Sequence, residues 1–193
     1  MRIAGLQKTA ATAWENTAIA YAHLFNKVLQ KEQSLIYSLP PISIAHIKRM
    51  SRSFGMIQFS KGNRPDIKTG YTLDDNVRAL MALCHVYVKT KDPSCEKYIK
   101  KYLTFIRYCQ QPDGSFLNYV DKQLAFTTQN AEINLEDSNA RAIYALGYFI
   151  SLRGKFPDVW TEDATEIIEQ TFDMIMKMKS PRSIAYIIKG LYH

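Results

Sequence analysis

The chain has 193 residues, 47% of them hydrophobic, enough for one domain with a sizeable core. Net charge is +7, yet the 25 basic residues lie among 18 acidic ones and only Lys97, Lys100 and Lys101 cluster, which reads as a solvated helix face and not a nucleic-acid stripe. Cys84, Cys95 and Cys109 lack metal-ligand spacing and fall where small core hydrophobes belong; with no export-like or long apolar run, a cytoplasmic protein without a membrane span is expected.

Trp14, Ala18, Tyr21, Phe25 and Val28 recur at three- and four-residue intervals, so the pattern predicts an amphipathic helix over about 13–30. Lys31 to Ser38 breaks it. Pro40 and Pro41 open a second predicted helix, about 41–52, with Ile44, Ile47 and Met50 turned inward. Ser53 to Gly70 holds Gly55, Gly62, Pro65 and Gly70 and reads as loop, with a strand-like piece at Met56 to Phe59. A long loop ahead of a helix is where function tends to concentrate.

Thr72 is the expected N-cap of a helix over about 73–89, with Asp75 in the capping-box position. Asp92 and Pro93 start another, about 93–110, with Ile99, Tyr102, Leu103, Ile106 and Cys109 as its buried stripe. A second loop runs from Gln111 to Asn134, and Asn134 caps a helix over about 135–152 that Gly154 and Pro157 end. Further helices are predicted over about 161–178 and from Pro181 onward, the latter with Ile184, Ile187, Ile188 and Leu191 on one apolar face. Sustained two-residue alternation is absent, so the expected class is all-α, built of antiparallel α/α hairpins.

A repeat singles out two of these helices. Asp74-Asp75-Asn76-Val77-Arg78-Ala79-Leu80-Met81-Ala82-Leu83 returns as Asp137-Ser138-Asn139-Ala140-Arg141-Ala142-Ile143-Tyr144-Ala145-Leu146, and Pro181-Arg182-Ser183-Ile184-Ala185 is a weaker third echo. Repeats of this length mark helical arrays. Acids in a first helical turn are favoured by the helix dipole, and Asp74–Arg78 and Asp137–Arg141 have the i,i+4 spacing of simple bracing pairs. Capping alone does not require a whole Asp-x-Asn-x-Arg-Ala set twice. The copies pair Asp74 with Asp137 when aligned by their arginines and Asp75 with Asp137 when aligned by their caps, and both alignments stay open. Two carboxyl groups facing one cleft suit glycosidic bond cleavage, which needs an acid and a base or nucleophile. The Gln111-Pro112-Asp113-Gly114-Ser115-Phe116 turn sets Phe116 beside Tyr119 and Tyr71 as aromatic surfaces for sugar rings, or is a plain type I turn. His46 reads as a core histidine, and Trp160 as a hairpin-packing residue. His23, His85 and His193 show no partner spacing, and neither nucleophile-elbow nor phosphate-loop patterns occur, so neither metal nor cofactor is expected.

The run His46-Ile47-Lys48-Arg49-Met50, Gly55-Met56-Ile57-Gln58, Pro65-Asp66 and Gly70 to Leu80 resembles the six-hairpin, or (α/α)6, glycosidase-like domains of bacteria, which are often fused behind a glycosyltransferase of two Rossmann lobes. Asp113 to Tyr119, Glu136 to Ala142 and Ser180-Pro181-Arg182 are similar to that family's later motifs, so the likeness covers about 40–192. The resemblance implies part of a toroid at 33–193 and, at 1–32, a helix like the one that closes such a glycosyltransferase. It implies Asp74, Asp75, Glu136 and Asp137 as catalytic acids, with Tyr71, Asn76, Arg78, Asn139, Arg141, Phe116, His46, Gln58 and Asp66 binding substrate. Phe59 stands where relatives commonly carry His, and Ser51-Arg52 replaces a common Thr-Asp. Three functions compete: a carbohydrate-active domain acting on or binding a glycan, a non-catalytic helical module that binds a glycan or braces a glycosyltransferase, and a terpenoid-cyclase-like toroid. The last lacks an Asp-x-Asp-Asp motif. A twelve-helix toroid exceeds what is countable here, so an open helical end, self-association and a longer parent enzyme are further expectations.

Overall fold

The computed structural model describes residues 14–29 and 41–193. The expected break at Lys31 to Ser38, together with Ala13 and Pro40, lies outside the described residues. Helix α1, Trp14–Leu29, belongs to a unit separate from Ile42–His193, and its apolar residues Trp14, Tyr21, Phe25 and Val28 are exposed.

The larger unit is mostly helical. Helix α2, Ala45–Met50, is shorter than predicted, because Ile44 is drawn into the core in a non-helical conformation and Pro41 therefore does not start it. Ser51 leaves α2 in extended conformation and forms an antiparallel bridge with Met56. The loop that follows carries a small ribbon of β1, Ser60–Lys61, and β2, Arg64–Pro65, turning at Gly62 with φ of +58°. Asp66 then caps a 3-10 turn, Ile67–Thr69. Strand β3, Tyr71–Thr72, pairs antiparallel with β4, Tyr119–Val120, so two loops far apart in sequence meet before the next helix. The strand-like piece expected at Met56 to Phe59 is reduced to bridges at Met56 and Ile57.

Helix α3, Leu73–Thr90, is capped by Thr72, whose hydroxyl accepts from the Asp75 amide and donates to the Asp75 carboxylate at 2.6 Å. Helix α4, Glu96–Cys109, follows a 3-10 turn at Pro93–Cys95 and buries the stripe read from the sequence. After a short α5, Gln129–Glu132, comes α6, Glu136–Ile150, with Asn134 Oδ1 accepting from the Glu136 amide at 2.8 Å. Helix α7, Asp158–Glu169, begins earlier than expected, directly after Pro157, and ends before Thr171. That stop splits the predicted 161–178 helix, leaving a short α8, Phe172–Ile175, because buried Thr171 donates to the Ile168 carbonyl and the Gly114 turn abuts the Gln170 carbonyl. Helix α9, Pro181–Tyr192, is capped by Ser180.

The packing makes two rows. Helices α3, α6 and α9 lie side by side, while α4 and α7 touch each other and cover α3 and α6. All three cysteines are buried and free. Burial pushes the Cys84 thiol up to about 12 and raises Cys109 as well, as expected of inert core groups. Helices α6 and α9 approach so closely that a Cβ on Gly147 would sit 1.9 Å from the Gly190 carbonyl oxygen, and one on Gly190 2.7 Å from that of Ile143. Among the described residues no helix is long and apolar enough to cross a membrane.

Candidate functional site

The repeat acts first on the backbone. Asn76 is fully buried; its Oδ1 accepts from the Met56 amide at 2.8 Å, and its Nδ2 donates to the Thr72 and Met56 carbonyls. Asn139 does the same one repeat later, accepting from the Phe116 amide at 2.7 Å and donating to the Phe116 and Leu135 carbonyls. Each amide imitates an extended-strand neighbour for a loop residue and anchors that loop to its helix. This parallel settles the alignment: Asp74 corresponds to Asp137.

The acids and arginines then form a ladder across the helix N-termini. Asp74 meets Arg78 at 2.7 Å and Arg141 at 2.9 Å; Asp137 meets Arg141 at 2.8 Å and Arg182 at 2.7 Å. Each aspartate thus takes the arginine of its own helix and that of the next, so α3, α6 and α9 point the same way with their tips on one face. Arg78 also lies 4.0 Å from Asp75, which completes the alternation Asp75, Arg78, Asp74, Arg141, Asp137, Arg182. The six charges sum to zero, which suits a half-buried array. Burial raises the pKa of Asp74, opposed by Arg78 and Arg182 and reinforced by the charge of Asp137. Burial likewise raises Asp75, against its Thr72 hydrogen bond and with the like charge of Asp74 adding to the rise.

No family model and no curated protein matches the chain.

Below the ladder the same helix faces continue as a wall. Met81 and His85 follow Arg78 on α3 at the spacing at which Tyr144 and Tyr148 follow Arg141 on α6, α9 adds Tyr186 and Lys189, and His193 follows at its end. The His85 ring stacks on Tyr148 at 4.4 Å and its Nδ1 lies 2.8 Å from the Tyr148 hydroxyl. Tyr144 and Tyr186 are 5.9 Å apart, the Arg141 guanidinium lies 5.3 Å over Tyr186, and Lys189 Nζ lies 4.5 Å over Tyr144. Val77, Arg78, Met81, Arg141, Tyr144 and Tyr186 enclose a cavity of about 180 Å³. These aromatic residues were missed in the sequence, although extending the repeat by the helical spacing after each Arg reaches Met81 and Tyr144, then His85 and Tyr148.

Several expected binding residues serve elsewhere. Tyr71 is 5% and Phe116 1% exposed, so neither presents a ring to a sugar; both fill the core, with Tyr71 meeting Phe54 and Phe105. Asn76 and Asn139 are spent on the loops. Glu136 Oε2 accepts from the amides of Lys179 and Ser180, at 3.2 and 2.8 Å, and so clamps the start of α9. It also borders a cavity of about 270 Å³ between the Gly114 turn, the tip of α6, Met174 and Lys177. His46 is exposed, not a core histidine. Asp66 pairs with Lys61 at 2.9 Å and caps its turn; these partners hold its carboxyl below the usual range, and the role is to shape the loop. The Gln58 amide donates to the Gly70 carbonyl, which ties the 56–59 segment to the entry of α3. Trp160 packs on Phe156, as expected for a hairpin residue. Among the described residues no group of three or more His, Cys, Asp or Glu is placed to hold a metal ion.

Proposed function

We propose that this chain is a carbohydrate-handling α/α-hairpin module that binds a glycan along the shared face of α3, α6 and α9. The supporting observation is the juxtaposition of the Asp–Arg ladder with the Tyr144–Tyr186 wall around one cavity. Sugar rings offer apolar faces for aromatic side chains and hydroxyl edges for bidentate acids and guanidinia, and this face supplies both. The resemblance of residues about 40–192 to six-hairpin glycosidase-like domains points the same way, and the toroid with its associated glycosyltransferase belongs to this proposal.

Binding is favoured over hydrolysis. Asp74 and Asp137 are each held between two guanidinia, and Glu136 caps a helix, so the expected catalytic acids are engaged in the fold. Asp75 keeps the hydrolytic reading alive, because its carboxyl is raised by burial and its nearest cation is 4.0 Å away. A microarray of bacterial and plant oligosaccharides, followed by turnover assays on those retained, tests the proposal. Retention without turnover, weakened by Tyr144→Ala, is the expected result. Turnover that Asp75→Asn abolishes would install the hydrolytic reading, and retention of nothing would remove both.

A further inference from the structure

The three parallel helices repeat in their flanks as well as in their tips. Helix α6 receives α9 on the flank that carries Ile143 and Gly147, two and six residues beyond Arg141, and α9 answers with Ser183, Ile187 and Gly190. Counted from Arg182, the corresponding receiving positions on α9 are Ile184 and Ile188, with Leu191 one turn further. They are 40%, 64% and 47% exposed, while Ile187 on the opposite flank is buried. The receiving flank of α9 thus has the make-up of a helix–helix joint, and no helix of the larger unit fills it.

At the other end of the row, α3 has α6 on its forward flank and no other inner helix of the larger unit beside it among the described residues. Its rear flank presents Ala82 and Val86, both half-buried, and at its tip Asp75. One repeat later the same positions are Ala145 and Phe149 on α6, which are fully buried. The ladder has ends of opposite sign: it starts at the acid Asp75 on α3 and finishes at Arg182 on α9, whose side chain is 68% exposed. Apolar knobs and a terminal cation at one end face small side chains and a terminal acid at the other.

We propose that the chain associates head to tail with a second copy of itself, the Ile184–Ile188–Leu191 flank of α9 seating on the Ala82–Val86 flank of α3 in the neighbour. In that joint Arg182 of one copy pairs with Asp75 of the next, and the alternation of charge continues across the boundary. The contact is heterologous, so each copy offers one head and one tail. The partner is a like helix and not an arbitrary apolar surface, because Ile184 and Ile188 keep the offsets from Arg182 that Ile143 and Gly147 keep from Arg141, and the terminal cation of α9 is matched in sign by the terminal acid of α3.

Sedimentation velocity of the full chain over a wide concentration range tests this. The wild type is expected to gain mass with concentration, and Ile188→Glu or Val86→Glu to raise the dissociation constant at least tenfold. Ala82→Glu replaces Val86→Glu if circular dichroism shows that variant unfolded. An equimolar mixture of a tail variant and a head variant should recover a dimer, since one intact joint remains between them. Arg182→Glu should weaken association, and Arg182→Glu combined with Asp75→Arg in one chain should restore it. A clean monomer throughout overturns the proposal. So does association that Ile188→Glu leaves intact, or that Ile188→Glu breaks while both head variants leave it unchanged, which would mean tail-to-tail contact.

Discussion

Asn76 and Asn139 show how one residue type can fix a loop to a helix. Each satisfies both an amide and a carbonyl of a loop residue, and a buried backbone group left unpaired costs about 1–3 kcal/mol. Asn139→Ala should therefore destabilise the larger unit by about 3 kcal/mol, as read by urea unfolding, and Asn139→Asp by a comparable amount because the acid cannot donate to Phe116. Asp75 makes a different prediction. Its folded pKa lies above the ordinary 3.8, so the folded state holds a proton that the unfolded state has released. Its contribution to stability is therefore greatest at low pH and declines as pH rises from 3.8 through the raised folded value. The thermal midpoint of the wild type should fall relative to that of Asp75→Asn across this window and stay parallel above it. Carboxyl-sensitive NMR gives the pKa directly. The repeated Asp, Asn and Arg were legible in the sequence as a set. Their division of labour was not, because an asparagine that binds sugar and one that binds a loop carry the same letter, and only burial separates them.

At the scale of elements, caps and apolar stripes located the long helices well. Thr72 caps α3, and Ser180 and Pro181 start α9, because local hydrogen bonding decides those termini. The failures had tertiary causes. Pro41 is compatible with a helix start, but Ile44 is claimed by the core; the 161–178 pattern is continuous, but contact with the Gly114 turn accompanies its break at Thr171. The joint between α6 and α9 was equally hidden, since a glycine within a helix reads only as a weak point until its neighbour is known. Gly147→Ala should separate these helices and cost more than about 2 kcal/mol, the range for overpacking against an unyielding surface, because the added Cβ meets backbone and not a flexible side chain. Differential scanning calorimetry checks it, and Gly154→Ala is not a suitable control because its φ is +80°. Ala185→Ser, exposed on α9, serves that purpose.

Across the whole larger unit, the duplicated string proved to be an instruction for alignment. One Asp-x-x-x-Arg pair braces a helix; three arginines and three acids on neighbouring helices lock their tips together, and the faces below them come into register as a wall of Tyr144, Tyr148, Tyr186 and His85. The all-α class was legible from periodicity alone. The wall was not, because its residues come from helices whose adjacency depends on the ladder. The most direct test of the carbohydrate reading is where a ligand falls. An oligosaccharide retained on the microarray, titrated into isotopically labelled protein, is predicted to shift the resonances of Met81, Tyr144 and Tyr186 together with the side chains of Arg78 and Arg141. Shifts confined instead to Ser115, Met174 and Lys177 around the larger cavity, with the tyrosine wall unmoved, would contradict it.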